Sequence, residues 1–99
     1  MHEMRLRKSR LAETDLAAIA DFGVDNFGAE RALAYINAIE SRCLELLLHP
    51  ELGRAERDLR PDIRSMSAGS HRIYYSVEGD ELVVRRVLHK AMDVGKRLS

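Results

Sequence analysis

The first third of the chain changes from an alternating pattern of apolar and charged residues to a helical one. Residues 4–8 alternate, with Met4 and Leu6 between basic residues, which predicts a short β-strand. The hydroxyl of Ser9 can then cap a helix, whose first turns carry acidic residues. Apolar positions follow at helical spacing, at Leu16, Ile19, Ala20 and Gly23. The turn-forming run at residues 26–28 predicts the end of this helix.

A second, more apolar helix is predicted directly after that turn. One face is made of Ala32, Tyr35, Ile36, Ile39, Cys43, Leu46 and Leu47. Leu33, Leu44 and Leu48 widen this apolar stripe, so we expect this helix to be the central element of the core. Pro50 and Gly53 predict its end. Two helices joined by a short glycine turn indicate an antiparallel helical hairpin.

From residue 54 the hydrophobic period changes to two. Residues 54–60 are expected to form a charged connector. Strands are predicted at 63–67, 71–77 and 82–89, separated by turns at 68–70 and at Gly79–Asp80. Consecutive hairpins imply an antiparallel meander. We therefore predict one α+β domain, residues 1–99, in the order β-α-α-β-β-β, with the N-terminal strand and the helical hairpin packed on the sheet.

The last predicted strand is apolar on both faces. Strict alternation places Leu82, Val84, Arg86 and Leu88 on one face and Val83, Arg85, Val87 and His89 on the other. A sheet with one solvated face alternates more cleanly than this. We therefore expect the face opposite the helices to be partly covered, either by the tail at residues 90–99 or by a partner chain.

Composition narrows the class of protein. The 99 residues include no Trp and few other aromatics, so the core must be aliphatic. Cys43 is the only cysteine, which excludes an intramolecular disulfide and favours a reducing cytoplasm. No apolar run approaches the roughly 20 residues that cross a bilayer, and the N-terminus has no hydrophobic signal stretch. The zero net charge hides an acidic middle, −5 over residues 11–48, between two basic ends of +3 each.

No motif predicts a cofactor or a metal. The chain lacks a Gly-rich phosphate loop, a Cys/His cluster and a Gly-x-Ser-x-Gly elbow, and the serines near His71 are ordinary turn and strand residues. The more informative set is basic: Arg57, Arg60, Arg64, Arg72, Arg85, Arg86 and His89. Brought together at one end of the sheet, these residues could hold RNA and cleave it. They could equally pair with acids of a partner protein, or with the chain's own Asp58, Asp62 and Asp93.

Several short motifs, in their order and spacing, resemble a known family. They are Asp15-Leu16-x-x-Ile19, His49-Pro50-x-x-Gly53, Leu59-Arg60-Pro61-x-Ile63-Arg64, Gly69-Ser70-His71-x-Ile73-x-Tyr75 and Arg86-Val87-Leu88-His89-x-x-Met92-Asp93. Together they span most of the chain and resemble ParE toxins of the RelE/ParE superfamily of bacterial type II toxin–antitoxin systems.

This resemblance implies a cytoplasmic toxin that arrests growth and stabilises a plasmid or chromosome. It also implies a ParD-like antitoxin with a ribbon-helix-helix DNA-binding part, which wraps the toxin and through which alone the toxin reaches operator DNA. DNA gyrase is the implied target, and no membrane or cofactor is implied. The partner-binding candidates are Arg57, Arg60, Arg64, Arg72, Arg85, Arg86, His89 and Met92. Acidic antitoxin residues are expected at Arg64, Arg72 or Arg86.

The other branch of the superfamily, RelE, is the alternative. It cleaves ribosome-bound mRNA, and Arg64, Arg86 and His89 are the residues that could serve that reaction here. Lys90 stands where that branch has a tyrosine, no tyrosine follows Tyr75, and the connector holds no lysine. The set is therefore incomplete, which favours a non-enzymatic ParE toxin. A third possibility is an inactive toxin kept as a repressor partner.

Overall fold

The computed structural model describes residues 3–98 and shows a mixed sheet with two helices packed on it. The sheet has five strands in the order β1-β5-β4-β3-β2. The elements are β1 (Arg5–Lys8), α1 (Arg10–Phe27), α2 (Ala29–Leu48), β2 (Arg54–Ala55), β3 (Arg64–Ala68), β4 (His71–Glu78), β5 (Glu81–His89) and α3 (Val94–Leu98). The predicted α+β class and element order are confirmed, with three short additions.

Those additions are β2, α3 and a short 3₁₀ helix at Pro50–Leu52. Residues Arg54–Ala55 pair antiparallel with β3, so the predicted connector begins with a two-residue strand. A strand this short carries no readable period, which is why the sequence did not reveal it. Strand β1 lies parallel to β5, with Arg5 beside Glu81 and Lys8 beside Val84. The predicted antiparallel meander β3-β4-β5 is confirmed.

The helical hairpin forms where its local signals predict it. The Ser9 hydroxyl accepts a hydrogen bond from the Ala12 amide at 3.0 Å and caps α1. Gly28 separates the helices with a φ of 89°, a conformation that favours glycine. The helices approach closely at Gly23, where an added Cβ would lie only 2.9 Å from the Cβ of Ala32.

Helix α2 buries one face rather than its whole circumference. Ala32, Ile39, Cys43 and Leu46 are buried, and Tyr35, Ile36 and Leu47 pack partly buried against the same cluster. The prediction that further leucines widen this stripe is wrong: Leu33, Leu44 and Leu48 are 62%, 56% and 77% exposed. In a two-layer fold, a helix has the sheet on one side and solvent on the other.

Strand β5 contains a β-bulge that reverses its alternation. Tyr75 pairs with Val84 and Tyr74 pairs with Arg86, which leaves Arg85 as the additional residue. Leu82, Val84 and Val87 consequently all belong to the helix-side core. The predicted division of β5 into two strictly alternating faces is therefore wrong beyond Val84.

The tail covers part of the opposite face, as one of the two alternatives predicted. Ile63, Tyr74 and Leu88 form a second buried cluster, and Leu59, Val94 and Leu98 pack against it. The cover thus comes from α3 together with the connector before β3. Ser99, the end of the predicted tail, lies outside the described residues.

Candidate functional site

An open groove lies where the end of the helical hairpin meets the ends of β4 and β5. One cavity of about 480 Å³ adjoins a second of about 460 Å³, and both are lined by Ile19, Phe22, His71 and His89. We call this continuous depression the histidine groove. Its remaining lining residues include Phe27, Arg31, Tyr35 and Ser70 on one side and Asp15, Arg86, Met92 and Arg97 on the other.

The rim of the histidine groove is aromatic and exposed. Phe22 and Phe27 are 63% and 59% exposed, and their rings meet edge to face with centroids 6.3 Å apart. Met92 is also exposed and lines the second cavity. Large apolar side chains gathered around a concave surface mark a binding site more often than ordinary surface.

Two histidines face each other across β4 and β5 within the groove. The register places His71 directly opposite His89, and the ring centroids are 5.3 Å apart at 82°. The Tyr35 hydroxyl lies 2.7 Å from Nδ1 of His71, and the Ala91 amide donates to Nδ1 of His89 at 3.1 Å. Burial, followed by the neighbouring His89, lowers the pKa of His71 below its ordinary value.

Tyr35 is held over the β3-β4 turn by two features of that turn. Its hydroxyl accepts a hydrogen bond from the Ser70 amide at 2.9 Å. Gly69 lies beneath the ring with a φ of 60°, and an added Cβ would come within 2.7 Å of the ring. The turn therefore fixes the tyrosine that contacts His71.

Asp15 and Arg86 close one wall of the groove with a partly shielded ion pair. The guanidinium donates from Nε to Oδ2 and from Nη2 to Oδ1, both at 2.8 Å. Oδ2 also accepts the Val87 amide at 2.9 Å, beyond the point where β1 ceases to pair with β5. The hydrogen bond with Asp15 raises the pKa of Arg86, which stays charged.

The other candidate arginines do not converge on the groove. The sequence-predicted set is divided among separate contacts with the chain's own groups: Arg64 with the Gly53 carbonyl at 2.7 Å, Arg72 with the Ser65 hydroxyl at 3.1 Å, Arg85 with the Ser76 hydroxyl at 3.0 Å, and Arg60 with Asp62 at 3.2 Å. Arg57 is exposed on the connector. Of the eight candidates, Arg86, His89 and Met92 line the groove.

Arg64 lies away from the histidines along the sheet. It pairs with Tyr75, whereas Ala68 pairs with His71 at the other end of β3. Four residues of strand separate these positions, which is about 13 Å. The residues needed for the alternative of mRNA cleavage, Arg64 with Arg86 and His89, are therefore not assembled in one place.

A second polar cluster occupies the face of the sheet that bears Arg72. Glu56 accepts hydrogen bonds from the Ser65 hydroxyl at 2.6 Å and from Arg54 at 2.7 Å, and Arg72 donates to the same hydroxyl. Burial acts to raise the pKa of Glu56, but the hydrogen bonds from Ser65 and Arg54 leave it lowered. Arg72 therefore contributes to a network within the chain.

Sequence reasoning missed several residues of the groove. The sequence pattern does not single out Phe22 and Phe27, it predicts Tyr35 on the core face of α2, and it predicts His71 only as the start of a strand. One signal was present: Phe22 lies outside the buried stripe of α1, close to the end of the helix. Apolar residues in such positions indicate a surface that is covered by something other than the chain's own core.

Neither a metal-binding cluster nor a membrane-spanning helix is present in residues 3–98. Within that range, no group of three or more His, Cys, Asp or Glu side chains is placed to hold a metal ion. None of the helices described is both long and apolar enough to cross a membrane.

Comparison with known proteins identifies the family. The protein-family model described as the ParE toxin of the type II toxin–antitoxin system parDE matches residues 6–94. The chain therefore belongs to the ParE toxin family of type II toxin–antitoxin systems.

Named relatives agree over nearly the full length. The chain is 36% identical over 91 residues to toxin ParE1 of Mycobacterium tuberculosis, covering 91% of this chain and 93% of that toxin. It is 32% identical over 92 residues to toxin ParE1 of Caulobacter vibrioides, covering 93% and 95%. A solved structure described as the chromosomal ParDE TA system from P. aeruginosa matches with a TM-score of 0.79 at 26% identity, covering 90% of this chain and 98% of that one.

Proposed function

We propose that the whole chain is one toxin domain that acts in the cytoplasm by inhibiting DNA gyrase. A ParD-like antitoxin neutralises it by binding, and the toxin reaches operator DNA only through that antitoxin. Family membership alone does not specify the target or the partner, and DNA gyrase and the ParD-like antitoxin are proposed for these roles. The toxin acts by docking and carries out no reaction of its own.

The observation that carries this proposal is the exposed apolar rim of the histidine groove. A protein that works by contact needs a surface with apolar anchors, and Phe22, Phe27 and Met92 supply them. Exposed aromatic side chains of this size are costly in water unless a partner covers them. The antitoxin is the partner expected to cover them during normal growth.

The placement of the basic residues favours docking over catalysis. Asp15 accepts two hydrogen bonds from Arg86. Arg64 donates to the Gly53 carbonyl and lies away from His89. A general acid–base reaction on RNA requires such groups within hydrogen-bond reach of one phosphodiester. Of the proposed partner contacts, His89, Met92 and the exposed Arg57 are therefore the ones most available to a partner.

The test of the target uses purified toxin, DNA gyrase, supercoiled plasmid and ATP. We expect linear DNA to accumulate in proportion to toxin after protein removal, and equimolar antitoxin to suppress it. No linear DNA at saturating toxin, from a preparation that still binds antitoxin, would remove gyrase as the target.

A parallel assay addresses mRNA cleavage. Toxin added to a bacterial translation extract should leave mRNA ends unchanged when these are mapped by primer extension. Toxin-dependent cleavage that disappears with His89→Ala, in a variant that remains folded, would replace gyrase inhibition with the endonuclease activity.

A further inference from the structure

The hydrogen bonds of the two groove histidines determine which ring nitrogen carries the proton. The Ala91 amide can only donate, so Nδ1 of His89 accepts and the proton of the neutral ring is on Nε2. The Tyr35 hydroxyl accepts from Ser70 and lies 2.7 Å from Nδ1 of His71, compared with 3.4 Å from the Ala68 carbonyl. We assign its single proton to the shorter of these two contacts, the one with His71, which places the ring proton of His71 on Nε2 as well.

Two N–H donors are consequently presented side by side in the groove. Within the part of the chain that the structure describes, neither Nε2 has a hydrogen-bond partner, and both rings line the two cavities. The ring centroids are 5.3 Å apart, so the two imidazoles are close enough for one small acceptor group to contact both. The ligand that completes this site must therefore bring acceptors and no donors.

The charges around the groove select an anion. Arg31 lines one cavity and Arg97 the other, while the charge of Asp15 is matched by Arg86. The other charged residues that line the two cavities are therefore positive, which favours a carboxylate over a neutral acceptor. The apolar walls next to the histidines require an apolar group beside that carboxylate.

We propose that the histidine groove binds an acidic side chain flanked by an apolar residue, with Nε2–H of His71 and His89 donating to the carboxylate. The occupant is a segment of the antitoxin, and this identity rests on the proposed function. The chemistry of the site does not, because it follows from the two donors and the charges around them. The aromatic rim contacts the apolar neighbour of the acid.

Carboxylate binding differs from simple apolar burial in its dependence on pH. A carboxylate favours the protonated imidazole of His71, whose pKa is lowered in the free toxin, so carboxylate binding should strengthen as pH falls. An apolar occupant without a charge behaves in the opposite way, because it opposes charging of the rings. The charged and titratable groups that face the pair are Asp15, Arg31, Tyr35, Arg86 and Arg97.

The first experiment measures binding of small probes to the full-length toxin by NMR. The probe is 3-phenylpropanoate, and its neutral control is 3-phenylpropanamide. We expect the carboxylate to shift the resonances of His71, His89 and Phe22, and to bind about tenfold more tightly than the amide. We also expect this preference to be larger at pH 6.0 than at pH 7.5. Equal affinities, or tighter binding of inorganic phosphate than of the carboxylate, would overturn the proposal.

Matched variants test the assigned donors. His89→Phe keeps an aromatic ring and removes the Nε2–H, so it should reduce the preference for the carboxylate while the amide still binds. His49→Phe is the control, because His49 is exposed at the end of α2 and lies outside the groove. An unchanged preference in His89→Phe would contradict the proposal.

A second measurement separates this inference from the proposed function. In titrations with the antitoxin, His89→Phe should weaken the complex about tenfold or more, and His49→Phe should not. If wild type and both variants bind equally, the antitoxin remains the partner and the groove contact is wrong. If no antitoxin binds the wild type, the proposed partner is wrong, while the probe experiment still decides the chemistry of the groove.

Discussion

Asp15 on α1 holds Arg86 on β5 with two hydrogen bonds of 2.8 Å, although the two residues are 71 positions apart in the chain. The same carboxylate accepts a hydrogen bond from the Val87 amide. β1 has ended at this point, so the carboxylate supplies the acceptor that a neighbouring strand would otherwise provide. Arg86 also donates to the Arg97 carbonyl at 3.1 Å. A single carboxylate thus connects the helical hairpin, the edge of the sheet and the tail.

Removal of this carboxylate should be costly. Both side chains are only 12–13% exposed, and Asp15→Ala leaves the guanidinium and an edge amide without their acceptor. We expect a loss of about 3–5 kcal/mol in the free energy of unfolding, measured by urea denaturation. Asp21→Ala, an exposed change on the same helix, is the control and should cost less than about 1 kcal/mol. Equal losses in the two variants would show that the ion pair contributes little.

The features predicted best from the sequence are those that depend only on residues adjacent in the chain. The Ser9 cap, the glycine turn at residue 28 and the Gly79–Asp80 hairpin are local signals, and all three are confirmed. The pairing of β1 with β5 depends on residues more than 70 positions apart, for which the chain carries no local signal. The Asp15–Arg86 contact was missed for the same reason.

The histidine pair shows how a local irregularity defeats prediction. The Gly79–Asp80 turn pairs Glu78 with Glu81, and a regular ladder from that turn would place Leu88 opposite His71. The additional residue Arg85 shifts the register by one, so that His89 occupies that position instead. The bulge thus creates the candidate site, and nothing in the period-two pattern of the strand revealed it.

In helix α2, substitution of an exposed leucine should cost much less stability than substitution of a buried one. Leu48 lies on the solvent side, so Leu48→Gln should change the free energy of unfolding by no more than about 0.5 kcal/mol. Leu46→Ala creates a cavity in the core and should cost about 2–5 kcal/mol. Denaturant titration of both variants measures the difference. A cost for Leu48→Gln comparable to that for Leu46→Ala would mean that the outer stripe is covered in solution.

The close approach of Gly69 to Tyr35 gives a matched pair of glycine substitutions. Gly69 and Gly79 have similar φ values, 60° and 62°, but an added Cβ meets the Tyr35 ring at Gly69 and open space at Gly79. Gly79→Ala should cost about 1–2 kcal/mol from backbone strain alone. Gly69→Ala should cost about 1–3 kcal/mol more, because the ring must move. In a Tyr35→Ala background the two substitutions should cost the same, and a persistent difference would exclude the tyrosine as the cause.

His71 should make the stability of the toxin depend on pH. Burial and His89 lower its pKa in the folded chain below the ordinary value of 6.5, which the unfolded chain retains. Well above pH 6.5 neither state binds a proton at this residue, and as pH falls through 6.5 the unfolded state takes up the proton first. The free energy of unfolding should therefore decrease as pH falls from about 6.5 to the lowered pKa of the folded state, and level off below it.

The variant that tests this pH dependence is His71→Asn, which keeps a polar partner for the Tyr35 hydroxyl but does not titrate. Its free energy of unfolding, measured by urea denaturation between pH 7.5 and 5.0, should fall less steeply than that of the wild type. His49→Asn controls for the loss of a histidine elsewhere in the chain and should keep the wild-type slope. If His71→Asn also keeps that slope, the stability lost at low pH comes from the carboxylates. The imidazole of His71 would then contribute nothing to the pH dependence.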